Sequence, residues 1–293
     1  MMELCIGTVQ FGLQYGIASA GRPSEKDAVD ILSYATKNGV VTIDTARAYG
    51  DAEQCVGQFV QNVPREQFRI ITKIQPNALD GMTDYTSVLK QNIQQSLENL
   101  HVSYVDGCLF HNAAYVHNQK ALRALHELKS EGFIKKSGIS IYTPQEFEAA
   151  LESPYVDLIQ IPYNALDHRL DALLNTKQAR KKEIHARSAF LQGLMLMDTV
   201  PPHLSAAAPL VQKIAAFCAE NHLSRTAFAL HYVKTQKSID KLVFGVDNIM
   251  QLKQIIEEFQ LNVNSRLIKE FAEQFADTPI EIVNPALWQK NRR

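Results

Sequence analysis

Cysteine is scarce in this chain and unclustered: Cys5, Cys55, Cys108 and Cys218 lie far apart and form no CxxC pair. That spacing speaks against a zinc ribbon or a disulfide framework. An excess of one charge is also missing. The 30 Lys and Arg residues against 31 Asp and Glu leave a net charge of −1, which gives no electrostatic case for nucleic acid or an anionic membrane as partner. The basic clusters Lys135-Lys136 and Arg180-Lys181-Lys182 are short and read as solvated surface. No apolar run approaches the roughly 18 residues needed to span a bilayer. The opening "MMELCIGTVQFG" has no basic stretch followed by an apolar stretch and a small-residue cleavage site. No GxGxxG follows the first strand-like segment, which weakens the open-sheet dinucleotide fold. The expectation is a cytoplasmic, reduced, soluble protein, monomeric or weakly self-associating, with no metal and no nucleic-acid or membrane partner.

What is present is regular alternation. Hydrophobic residues make up 46% and charged residues 21%, the balance of an enzyme with a sizeable core. Strand-like runs fall at 3–8, 41–45, 68–74, 104–110, 136–140, 157–162, 183–188 and 241–246. Between them lie stretches with apolar residues at three- and four-residue spacing, such as Ala28-Ile31-Leu32-Ala35 and Leu122-Leu125-Leu128. Ser24 three residues before Asp27, and Thr143-Pro144 with Glu146, read as helix starts. Between the seventh and eighth runs there is room for helices at 207–221 and 224–236, and further helices are expected at 248–259 and 264–276. Strand and helix alternating at this spacing predict a parallel sheet covered on both faces. Eight repeats favour an α/β (β/α)8 TIM barrel, and 293 residues fit one such domain of about 250 residues plus a C-terminal helix and tail across one end.

Chemistry concentrates where such a barrel places it, at the C-terminal ends of the strands. Asp44 ends the second run, Tyr49 follows it, Lys73 ends "FRIITK" and His111 ends "VDGCLFH". An acid, a phenol, an amine and an imidazole together suggest proton transfer to or from a carbonyl oxygen. A phenol is a weak acid at neutral pH, and a nearby ammonium lowers its pKa. Lys73 needs a counter-ion in a partly buried site, and Asp44 is the natural one. Taken singly, Asp44–Lys73 could be a structural ion pair, Tyr49 a loop aromatic and His111 a core histidine. Four suitable groups at the ends of three strands favour one shared site.

The blocks "IGTVQFG", "TIDTARAYGDAEQCVG", "ITK", "LFHN", "GFIKKSGIS", "IQIPYN" and "FLQGLM" resemble, in order and spacing, the motifs of the aldo-keto reductases, from about Gly7 to Phe259. The resemblance implies a barrel that binds a nicotinamide cofactor without a Rossmann domain. It makes Tyr49 the general acid that protonates the carbonyl oxygen, tuned by Lys73 and Asp44, with His111 orienting the carbonyl. It places Gly7, Thr8, Asp44, Ser140, Gln160, Ser188, Leu191, Gln192 and Gly193 against the cofactor, with Ser140 and Gln160 on its carboxamide. Where many members stack a tyrosine or tryptophan on the nicotinamide, this chain has Arg187. Arg187 could stack there, disfavour the oxidised ring, contact a phosphate or an anionic substrate, or simply pair with a carboxylate such as Glu53.

After the eighth strand, Gly245, Val246, Asp247, Gln251 and Gln254 stand where NADP-binding members usually carry basic or hydroxyl residues. NADP (as NADPH) is the family default, with NAD a competitor because Asp247 suits a ribose hydroxyl better than a phosphate. Lys253 or Lys241 could reach the phosphate instead. The β-hairpin that plugs the barrel floor in many members is missing ahead of the first strand, which concerns the floor and not the chemistry. The substrate, a small carbonyl compound, would meet Val9, Gln10, Tyr49, His111 and Tyr142, with Phe11, Tyr15 and the tail residue Trp288 completing the wall, although Trp288 could equally be a packing residue that pins the tail. Gln10 and Arg187 make that wall polar and point to a sugar-like carbonyl. Two other readings stay open: a barrel that keeps the cofactor as a regulatory subunit, and a lyase or isomerase in which Lys73 forms a Schiff base.

Overall fold

Short, almost wholly apolar runs have one stable use in this chain, as strands buried on both faces. The structure, a computed structural model, describes residues 2–17, 19 and 21–291. The strands are β1 (Glu3–Gly7), β2 (Thr42–Asp44), β3 (Arg69–Ile74), β4 (Gly107–Phe110), β5 (Ser137–Ser140), β6 (Leu158–Pro162), β7 (Glu183–Arg187) and β8 (Lys241–Gly245). Each pairs in parallel with its sequence neighbour, and β1 pairs with β8 to close the barrel.

The helices are α1 (Val9–Gly12), α2 (Glu25–Lys37), α3 (Ala52–Val60), α4 (Tyr85–Leu100), α5 (Gln119–Glu127), α6 (Pro144–Glu152), α7 (Asp171–Leu174), α8 (Ala208–Glu220), α9 (Arg225–Thr235), α10 (Ile249–Gln260), α11 (Ser265–Ala272) and α12 (Ile280–Val283). Ser24 accepts from the Asp27 amide at the start of α2. Thr143 and Glu146 close a reciprocal capping box on α6. These local bonds satisfy amides that have no partner within the first turn, which is why the helices start there.

Two apolar layers result. Ile71, Leu109 and Leu158 fill the barrel interior as a separate cluster. The larger core lies between the strands and the surrounding helices and takes in Ile6, Ile43, Phe59, Phe147 and Phe228. All four cysteines are buried and free, Cys5 and Cys108 inside strands. The C-terminal segment is held by aromatics. Phe271 on α11 stacks on Phe217 of α8 at 3.9 Å, and Phe275 meets it edge-on at 5.4 Å. The tail then packs α12 and the turn at Pro285–Asn291 against the loop that follows β7. Among the described residues no helix is long and apolar enough to cross a membrane.

Candidate active site

Parallel strands that start together also end together, so β1 to β8 deliver their C-terminal residues to one rim. Gly7, Asp44, Ser140 and Gly245 are strand-end residues there, and Gln160 lies in register with Ser140. The chain after β2 then turns back over the rim. The Thr45 and Arg47 amides bond to the carbonyls of Ile71 and Lys73, and Tyr49 closes a turn onto Ala46. Two glycines permit the return. A Cβ on Gly12 would lie 1.6 Å from the Tyr49 carbonyl oxygen, and one on Gly50, whose φ is +56°, would lie 2.5 Å from that of Gly12. Only hydrogen fits between these backbones, so the "FG" and "YG" glycines together seat Tyr49.

Under that turn the four polar side chains meet. Lys73 Nζ donates to Asp44 Oδ1 at 2.6 Å, to the Thr45 carbonyl at 3.0 Å and to the Tyr49 hydroxyl at 3.4 Å. Gln160 Nε2 donates to the other Asp44 oxygen at 2.8 Å. The His111 ring stands edge-on to Tyr49, 5.6 Å between centroids, and its Nδ1 is buried without a partner among the described residues. Lys73 and Asp44 are fully buried, so their charges are held by each other and by these hydrogen bonds.

Electrostatics set each group's proton. Burial works against charge on Lys73, yet Asp44 and the Tyr49 oxygen raise its pKa above the ordinary value, so it is an ammonium. Burial also pushes the Tyr49 phenol up, and Lys73 offsets this only in part. The sequence-based expectation of a lowered phenol pKa is therefore corrected: desolvation outweighs the ammonium. Burial, then Lys73, lowers His111 to about 4, which leaves a neutral imidazole at neutral pH.

A cavity of about 530 Å³ opens above this cluster, large enough for a small organic ligand. Most of the residues singled out from the sequence face it: Thr8, Val9, Gln10, Tyr142, Ser188, Gln192, Gly193, Asp247, Gln251 and Gln254 join the strand-end groups. Lys73 lies just beneath the lining. The Leu191 and Val246 side chains do not face the cavity but are buried in the core, at 0% and 1% exposure. Leu191 is turned inward because the loop after β7 adopts left-handed backbone at Ser188, Leu191, Gln192 and Gly193.

One further expectation is corrected, and three choices left open are decided. Phe11 is a core residue, fully buried. Trp288 is buried, and its indole N–H donates to the Ile282 carbonyl at 3.1 Å, pinning the tail rather than lining the site. Glu53 does not pair with Arg187. It accepts from Arg47, Thr72 and Asn99 at 3.3, 2.7 and 3.0 Å, tying the Tyr49 turn to β3 and α4. Lys241 ion-pairs with Glu3 at the opposite end of the barrel, and Lys253 stands over the Tyr34 ring, so neither lysine is among the cavity-lining residues.

Among the lining residues that sequence reasoning missed are Gly16, Ser19, Phe190, Leu196 and Thr226. Phe190 lies in a quoted motif. The others sit in loops or early helix turns that give no local signal. Ser19 donates to Asp247 at 3.2 Å, and Gln192 donates to Tyr15 at 3.2 Å, so the loop after β1 bridges those after β7 and β8.

The donors and acceptors suit a nicotinamide cofactor. Ser140 makes no side-chain bond to another described residue, and Gln10 Oε1 is buried without a partner. Gly7 and Gly245 are ladder partners, and a Cβ on Gly245 would strike the Gln10 amide at 2.3 Å. Among the described residues no group of three or more His, Cys, Asp or Glu is placed to hold a metal ion.

The model of the Aldo/keto reductase family matches residues 3–274. D-arabinose 1-dehydrogenase of Saccharomyces cerevisiae is 25% identical over 257 residues, covering 79% of this chain and 76% of its own. The NADH-specific methylglyoxal reductase of Escherichia coli is 23% identical over 297 residues, covering 88% and 91%. A holo-form aldo-keto reductase from Bacillus halodurans superposes with a TM-score of 0.78 at 19% identity, covering 94% of this chain and 93% of that one, a likeness of fold.

Proposed function

The chain belongs to the aldo/keto reductase family, whose members are nicotinamide-dependent oxidoreductases, and on that premise we propose that it interconverts a small polar aldehyde or ketone and its alcohol, with Tyr49 as proton donor. The observation that carries this is the Tyr49–Lys73–Asp44 chain of hydrogen bonds beneath a cavity that His111 also lines. A nicotinamide cofactor bound in this cavity would supply the hydride. Tyr49, protonated at neutral pH, gives its proton to the carbonyl oxygen as that oxygen gains charge. Lys73 then stabilises the tyrosinate through the bond it already makes, and Asp44 keeps Lys73 charged and in place. His111, held neutral, can donate an N–H to the same oxygen. Ser140 and Gln160 would hold the carboxamide, with Gly7, Thr8 and the loops after β7 and β8 along the rest of the cofactor. A Schiff base on Lys73 is disfavoured, because the 2.6 Å contact with Asp44 holds it as ammonium.

NADH rather than NADPH is the cofactor this geometry supports better. Arg187 is the only lysine or arginine among the described cavity-lining residues, and Asp247 lies at the β8 end. A sugar-like substrate accords with the Gln10, Gln192, Tyr15 and Tyr142 wall and with the name of the yeast relative.

Calorimetric titration with NADH and with NADPH tests the assignment. Tighter NADH binding is expected. Preference for NADPH overturns the cofactor choice alone, and no binding of either at millimolar concentration overturns the reductase reading. Tyr49→Phe should lower turnover by about 10²- to 10⁴-fold while leaving NADH affinity nearly unchanged. Parent-like turnover in that variant would remove Tyr49 as the donor.

A further inference from the structure

Arg187 is the last residue of β7, and its guanidinium has no acidic partner within 4.0 Å among the described residues. Two of its contacts fix its position and leave its charge uncompensated. One terminal nitrogen donates to the Ile141 carbonyl at 3.1 Å and the other to the Ser188 hydroxyl at 3.4 Å. Its carbon stands 4.4 Å from the centroid of the Tyr142 ring. Of the five guanidinium N–H groups, the remainder have no acceptor among the described residues. Ser188 adopts a left-handed backbone, φ +65°, to bring its hydroxyl there, a conformation that costs free energy in a residue other than glycine. A half-buried, braced guanidinium with unused donors is arranged to receive a planar or tetrahedral oxyanion.

The surroundings say which molecule carries that oxyanion. Arg187 lines the same cavity as Tyr49 and His111, and it rests on Tyr142, a residue of the wall that the substrate would meet. Asp247 also lines the cavity, at the end of it formed by the loop after β8. Asp44, the other acid in the lining, has its charge taken up by Lys73. Among the described lining residues no other lysine or arginine competes for an anion near Tyr49.

We propose that Arg187 selects a carbonyl substrate that itself bears an oxyanion, a carboxylate or a phosphate, and holds that group while the carbonyl meets Tyr49 and His111. This rests on the reductase reading and names its substrate class.

The test compares matched pairs: succinic semialdehyde against butanal, and glyceraldehyde phosphate against glyceraldehyde, with parent protein, Arg187→Met and Arg187→Lys. The expected result is a kcat/KM ratio favouring the charged member by about 10- to 100-fold in the parent. The ratio should fall towards unity in Arg187→Met and be partly restored in Arg187→Lys. Whichever pair shows the larger ratio identifies the oxyanion as carboxylate or phosphate. Equal use of charged and neutral members by the parent overturns the inference, as does a preference that survives in Arg187→Met. Loss of cofactor affinity in Arg187→Met with the ratio unchanged overturns it too, and gives the guanidinium to the cofactor. If no aldehyde is reduced, the reductase reading fails. Titration with glutarate and inorganic phosphate then decides the oxyanion site alone: binding lost in Arg187→Met supports it, and absence of binding ends it.

Discussion

At the scale of single residues, the site is a set of charges placed where water cannot neutralise them. Lys73 and Asp44 are each almost completely buried and rely on one 2.6 Å contact. Removing one partner strands the other, so Lys73→Met should cost about 3–5 kcal/mol. Combining it with Asp44→Asn should recover much of that loss, because the stranded charge is gone. Urea unfolding of the two single variants and the double variant measures the coupling, and simple additivity would mean the charges do not compensate each other. His111 has the opposite problem, a proton it cannot take up easily. Its folded pKa, about 4 against an ordinary 6.5, means the unfolded chain binds the proton first as pH falls. The stability it contributes is present above about 6.5 and is lost as pH falls towards 4. Between about pH 7 and pH 4 the parent should therefore lose on the order of 2–3 kcal/mol more than His111→Asn. Equal losses in denaturation at the two pH values would show an imidazole that titrates normally.

At the scale of elements, helix caps serve two ends. Asn248 accepts from the Met250 and Gln251 amides at the start of α10, and Gln251 in turn accepts from the Asp247 amide at 2.7 Å. That cap therefore shapes the cavity rim as well as the helix. Ser24 caps α2 outside the cavity lining by a similar bond. Asn248→Ala and Ser24→Ala should each cost about 1 kcal/mol of stability. Only Asn248→Ala should also weaken NADH binding, which paired thermal melts and titrations would show. Equal cofactor affinity in both variants would separate the cap from the site. The helix starts at Ser24 and Thr143 were legible, because a capping side chain and the amides it satisfies lie within four residues of each other. The loop after β7 was not. Ser188, Leu191 and Gln192 take left-handed backbone without being glycine, and no local rule announces that.

At the scale of the molecule, the barrel closes because β1 finds β8, and the C-terminal segment adds to the same core through Phe271 and Phe275. If the chain unfolds as one domain, damage at either place lowers one shared transition. Leu109→Ala inside the barrel should cost about 2–5 kcal/mol and Phe275→Ala about 3–5 kcal/mol. Both should shift the same calorimetric peak. Two peaks, with Phe275→Ala moving only one, would divide the chain into separate units.

Strand number and the barrel itself follow from the sequence, since run length and apolar period are properties of neighbouring residues. Asp44, Tyr49, Lys73 and His111 were legible for the same reason: three of them end or immediately follow apolar runs, and a parallel barrel sends all such ends to one rim. What only the tertiary structure decided are balances and directions between residues distant in sequence. Burial outweighs Lys73 at the Tyr49 phenol, although the residue types alone suggest the reverse. Glu53 turns to Arg47, Thr72 and Asn99, which leaves Arg187 without an acidic partner among the described residues. Lys241 and Lys253 engage Glu3 and the Tyr34 ring instead of lining the cavity. Desolvation and Coulomb energies depend on distances in space, which a linear pattern does not contain until the chain is folded.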